Sequence, residues 1–132
     1  MAFDLNKKIL IVDDTPAIRI IVTRMLINKG CTNIIEAEDG KQAWEILEEA
    51  HKNGEPVEFV MSDWKMPNLT GICLVKKMKE DIRFNLIPFL MVSAESDDQS
   101  VIDAYKAGIT SFVGKPFCTQ KLDETIEQIF AA

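Results

Sequence analysis

Residues 57–68 read VEFVMSDWKMPN, and their reading decides the fold. Val57, Phe59, Val60 and Met61 make a short apolar run of β-branched and aromatic character, with Pro56 before it and Met66-Pro67-Asn68 after it. Bracketed by turn residues, such a run predicts a strand buried on both faces. Asp63 stands where this strand gives way to its loop. Ligands of open α/β sheets bind just beyond the carboxyl ends of the strands, so a carboxylate at that point is placed for chemistry.

Working outward, four more strands are predicted, at residues 8–12 (KILIV), 33–37, 86–92 (LIPFLMV) and 111–114. Helices alternate with them. Thr15-Pro16 predicts a hydroxyl cap with proline in the first helical position. Ile18, Ile21, Val22, Met25 and Leu26 follow at helical spacing, and Gly30 suits the stop. A second helix opens at Asp39-Gly40 with Ala43, Trp44 and Leu47 as its core stripe. The third, after Gly71, turns Ile72, Val75 and Met78 inward, with Cys73 packed. The fourth runs from Asp97-Asp98 to Ala107. The last starts near Thr119 and buries Leu122, Ile126, Ile129 and Phe130. Helical crossovers make the strands parallel, and right-handed crossovers make a doubly wound α/β sheet with helices on both faces.

The 132 residues suit a single domain, 1–132, with no attached output domain, and 47% hydrophobic residues suffice for a core. A net charge of -6 argues against a nucleic-acid partner, which needs a basic surface. No apolar run spans a bilayer and no signal-peptide layout is seen, so the expectation is a cytoplasmic protein with no membrane contact. Cys31, Cys73 and Cys118 are in no metal-ligand spacing and read as reduced thiols. His51, the only histidine, reads as solvated, and Trp64 as a partly exposed reporter of events at Asp63.

Asp13 and Asp14 follow the first strand, Asp63 the third, Ser93 the fourth and Lys115 the fifth. Parallel strands bring these ends to one edge. Three crowded carboxylates should have raised pKa values unless a cation sits among them. An all-oxygen set without His or Cys favours a hard ion such as Mg²⁺, which takes one or two carboxylates plus waters and phosphate. A remaining aspartate can then attack a phosphoryl group. Ser93 can donate a hydrogen bond to it, and Lys115 can supply a point charge. Singly, Asp13-Asp14 would pass for helix caps, Asp63 for a turn residue and Lys115 for a solvated charge; the combination carries the reading.

ILIVDD, EAEDG, SDWKMPN, MVSAE and GKPF resemble the motifs of response-regulator receiver domains, most of all the single-domain chemotaxis regulators of the CheY type, across essentially the whole chain. The resemblance implies a flavodoxin-like sheet of order 2-1-3-4-5. It makes Asp63 the phosphoacceptor, with Asp13, Asp14, Asp63 and the Lys65 backbone carbonyl holding Mg²⁺, for which Mn²⁺ can substitute. Ser93 and Lys115 then act on the phosphoryl group, and Ser93 and Phe112 form the switch. A cis Lys115–Pro116 bond is also implied. A histidine kinase would be the donor, with a phosphatase and a target such as a flagellar motor switch protein as further partners, met through the surface of the fourth helix, fifth strand and fifth helix. Monomer is the default state. Such a protein signals rather than working as an enzyme, catalysing at most its own phosphorylation and dephosphorylation.

Two departures stand out. Phe112 replaces the usual tyrosine and should favour burial, and Lys65 replaces a frequent asparagine, its side chain able to reach Glu95 across the site mouth. Rival readings are a Mg²⁺-dependent aspartyl-phosphate phosphohydrolase, a flavin or nucleotide carrier, and a phosphorylation-independent receiver-like adaptor. The adjacent Asp13-Asp14 lacks the Asp-x-Asp spacing of the first, and VDDTPA is no phosphate-binding glycine loop for the second. The complete acidic site weighs against the third.

Overall fold

Apolar runs and amphipathic stretches alternate as β1 (Ile9–Val12), α1 (Pro16–Lys29), β2 (Ile34–Ala37), α2 (Gly40–Lys52), β3 (Phe59–Ser62), α3 (Gly71–Lys79), β4 (Phe89–Ser93), α4 (Asp98–Ala107), β5 (Ser111–Gly114) and α5 (Thr119–Ile129). This computed structural model describes residues 4–131; residues 1–3 and 132 of the expected domain lie outside the described residues. The strands form one parallel sheet ordered β2-β1-β3-β4-β5, as expected. Alternate side chains of each strand face opposite ways, so two cores form. Leu10, Val12, Val60, Phe89 and Met91 pack with residues of α2, α3 and α4 on one face. Ile9, Ile11, Phe59, Met61, Leu90 and Val92 pack with α1 and α5 on the other.

Several boundaries differ from expectation. β4 begins at Phe89 rather than residue 86, and Leu86 is 91% exposed. Pro88 has no N–H for the ladder, and its carbonyl, accepting from Val60 N–H at 3.1 Å, marks where pairing starts. The strands β1 and β2 each begin one residue late. Val57 is buried but precedes β3. The Thr15 hydroxyl makes no cap hydrogen bond; its carbonyl instead accepts from the Ile18 and Arg19 amides.

Helical faces differ from expectation as well. In α3 the buried positions are 71, 74, 75 and 78, so Leu74 is core, Ile72 only partly buried and Cys73 exposed. The expected stripe used a spacing of three, where 3.6 residues per turn selects i, i+3, i+4 and i+7. Ile21 in α1 is 46% exposed. Trp44 is partly buried, with its ring edge-on to Phe84 at 5.2 Å and Lys77 over its face at 4.3 Å. His51 is exposed, as read, although its ring meets Phe84 edge-on.

At the start of α4, Asp97 accepts from the Ser100 amide at 3.1 Å and the Ser100 hydroxyl at 2.7 Å. These bonds hold its carboxyl below the usual 3.8. A lowered folded pKa contributes stability that is complete above the unfolded value and is lost as pH falls through the folded one. Asp97→Asn, which keeps an acceptor for the cap, should flatten the acid limb of the stability–pH curve below about pH 4. Urea midpoints from pH 2 to pH 6 measure this; an unchanged acid limb would count against the cap's charge.

Candidate functional site

β1 and β3 end side by side, with Val12 paired to Ser62, and the chain then turns outward in both. That places Asp13, Asp14 and Asp63 together, a carboxylate oxygen from each lying within 4.8 Å of the others. Asp13 is 3% exposed, Asp63 is partly buried and Asp14 is exposed. Backbone amides hold two of them in place: Thr15 N–H donates to Asp13 Oδ1 at 2.9 Å, and Trp64 N–H to Asp63 Oδ1 at 2.7 Å. Gly71 is required here, because a Cβ on it would sit 2.1 Å from the Asp63 carbonyl oxygen.

β4 and β5 supply the other side. Ser93 pairs with Gly114, and the Ser93 carbonyl accepts from Lys115 N–H at 2.8 Å. The Lys115 ammonium thereby reaches inward, 2.8 Å from Asp13 Oδ2 and 3.3 Å from Asp63 Oδ2. The Ser93 hydroxyl is buried and accepts from Glu95 N–H at 3.1 Å. The Lys115–Pro116 peptide is cis. Phe112 is partly buried against the α2–α4 core. Lys65 does reach Glu95 across the mouth, at 3.2 Å, but is 73% exposed, so the pair adds little stability.

The Asp63 carboxyl has a raised pKa. Burial is the main cause; the Lys115 charge opposes it and the nearby Asp13 adds to it. Crowding is thus a lesser contributor than the sequence implied. Burial disfavours the charge on Lys115 too, yet the Asp13 hydrogen bond and the charges of Asp13 and Asp63 outweigh it and hold the ammonium above 10.5. Three oxygen donors without nitrogen or sulfur suit a hard divalent cation, and a 13%-exposed carboxylate beside a lysine can meet a phosphoryl group.

Sequence reasoning missed Arg19, whose guanidinium donates to the Asp13 carbonyl and also pairs with Glu36 at 3.2 Å. Its position one turn into α1 was the available signal. Also missed was Asn68, with a positive φ of 66° and its amide on Asp39 at 2.7 Å. Among the described residues no helix is long and apolar enough to cross a membrane.

Residues 9–127 match the family model for the response regulator receiver domain. The chain is 42% identical to the chemotaxis protein CheY of Pseudomonas aeruginosa, over 93% of this chain and 95% of that one. Its identity to CheY1 of Helicobacter pylori is 38%, over 92% and 95%. A crystal structure of a CheX–CheY–BeF3–Mg²⁺ complex from Borrelia burgdorferi superposes with a TM-score of 0.85 at 25% identity, covering 96% and 90%. With the sheet order, the acidic edge and the paired lysine already in place, these likenesses settle the family: the chain belongs to the response regulator receiver domains, among those of the CheY-like chemotaxis regulators.

Proposed function

We propose that the chain is a cytoplasmic receiver switch that accepts a phosphoryl group from a histidine kinase onto Asp63. The convergence of Asp13, Asp14, Asp63 and Lys115 at one sheet edge carries this reading. A carboxylate oxygen of Asp63 forms a bond to phosphorus as the P–N bond of the donor phosphohistidine breaks, and the released imidazole nitrogen takes a proton. Asp13, Asp14, Asp63 and the Lys65 carbonyl would hold Mg²⁺, with Mn²⁺ a substitute. When bound, the ion would supply charge neutralisation for the transferring phosphoryl group. Lys115 supplies a second positive charge from the opposite side, already within reach of Asp63.

Ser93 and Phe112 complete the switch. The Ser93 hydroxyl moves to donate to a phosphoryl oxygen, giving up its bond from Glu95 N–H, and Phe112 moves further inward. Phosphorylation acts only by stabilising that arrangement over the other. Output is by contact of the α4–β5–α5 surface with a target, for which the chemotaxis relatives favour a flagellar motor switch protein, and a phosphatase resets the state. The protein works as a monomer.

Two experiments test this reading. Incubation with Mg²⁺ and p-nitrophenyl phosphate should give no sustained release of phosphate. Many turnovers per molecule would favour the phosphohydrolase instead. Asp14→Asn should abolish stabilisation by Mg²⁺, which for the parent reaches about 2.7 kcal/mol at 100 times the Kd. Melting curves with and without Mg²⁺ measure it, and equal gains in both proteins would sink the role of Asp14. Because Asp14 is exposed, its removal should change metal-free stability little.

A further inference from the structure

The loop that carries Lys65 is fixed from outside the acidic site. Asn68 occupies the left-handed region at φ 66°, which asparagine and aspartate tolerate best among residues with a side chain. Its Nδ2 donates to Asp39 Oδ2 at 2.7 Å, while Asp39 Oδ1 accepts from Gln42 N–H at 2.8 Å and caps α2. One residue further, the Leu69 carbonyl accepts from Gly40 N–H at 3.0 Å. That approach requires glycine, since a Cβ at Gly40 would lie 2.3 Å from the Leu69 oxygen. Behind the loop, Gly71 N–H donates to the Trp64 carbonyl at 2.8 Å, and Met66 is buried. The segment between Asp63 and Gly71 is therefore held at both ends and in the middle. The bonds from Gln42 and Asn68 hold the Asp39 carboxyl below its usual range, so the acceptor is charged.

We propose that Asp39 and Asn68 are positioning residues for the cation: their hydrogen bond sets the loop so that the Lys65 carbonyl faces the Asp13–Asp14–Asp63 cluster. Neither touches the phosphoryl group. The inference rests on the proposed Mg²⁺ site and adds a pair, 29 residues apart in sequence, that tunes it. Removing groups that orient ligands in this way commonly costs about 10- to 100-fold in metal affinity.

The test titrates Mg²⁺ against tryptophan fluorescence, Trp64 lying next to Asp63, with metal-free melting recorded alongside. Asn68→Gly keeps the left-handed backbone and the net charge while deleting the amide. Asp39→Asn keeps the cap on α2 but turns a second amide group toward Asn68. Each should weaken Mg²⁺ binding on the order of tenfold. The double variant D39N/N68D exchanges donor and acceptor and should return affinity close to the parent's, an outcome that general destabilisation of the loop would not produce. Equal affinity in the parent and Asn68→Gly, or a swapped pair no better than the single variants, overturns the inference while leaving the proposed function standing. A parent with no Mg²⁺ response overturns both.

Discussion

Lys115→Met is expected to lower the metal-free unfolding free energy by about 3 kcal/mol, and Mg²⁺ is expected to restore most of that loss. The ammonium is the only cation that the described ion pairs place against Asp13 and Asp63, at 2.8 and 3.3 Å, and its side chain is only 15% exposed. Removing one partner of a buried pair leaves the other charge without compensation, which costs more than the pair contributed. Asp13 has the Thr15 amide as a remaining partner and Asp63 the Trp64 amide, so the loss falls short of the full penalty for an isolated buried charge. A divalent cation bound among the carboxylates replaces the missing positive charge. The pKa of Lys115 is raised, so its contribution is complete below 10.5 and disappears as pH rises through the higher folded value. Parent and variant should accordingly converge in strong alkali. Urea melts with and without Mg²⁺ decide the matter; a variant as stable as the parent without metal would show that the carboxylates do not need the lysine.

Phe89→Ala should cost about 4 kcal/mol of unfolding free energy. Phe89 opens β4, is fully buried and packs in the core beneath α2, α3 and α4. β4 lies between β3 and β5, so the strand that delivers Ser93 has no free edge on which to relax. The Phe89 amide and carbonyl both bond to Thr110, at 3.0 and 2.8 Å, which limits backbone collapse into the cavity. A denaturant midpoint nearly equal to the parent's would mean that this core repacks freely.

The parallel sheet was legible because apolar runs of strand length alternate with stretches of helical spacing, which leaves few topologies; its order came from the resemblance to receiver domains. Convergence of Asp13, Asp63, Ser93 and Lys115 followed from the fold alone, since parallel strands share one carboxyl edge. What the sequence concealed was set by three-dimensional packing. Leu86 looks like strand in a LIPFLMV run, and only the pairing of Val60 with the Pro88 carbonyl shows that the ladder begins later. Leu74 and Cys73 are a different case: 3.6 residues per turn, and not a spacing of three, puts Leu74 in the core and leaves Cys73 exposed. The preference of Lys115 for Asp13 over Asp63 is a matter of half an ångström, and no spacing rule reaches that scale. Likewise the bond between Asp39 and Asn68 joins two loops whose motifs, EAEDG and MPN, gave no sign of touching.

The central claim, that Asp63 accepts the phosphoryl group, is tested most directly by intact mass after incubation with acetyl phosphate, with and without Mg²⁺, in the parent and in Asp63→Asn. The expected result is one added phosphoryl group in the parent that requires Mg²⁺ and is absent from the variant. A Mg²⁺-dependent adduct that persists in Asp63→Asn would place the chemistry on another residue and contradict the assignment.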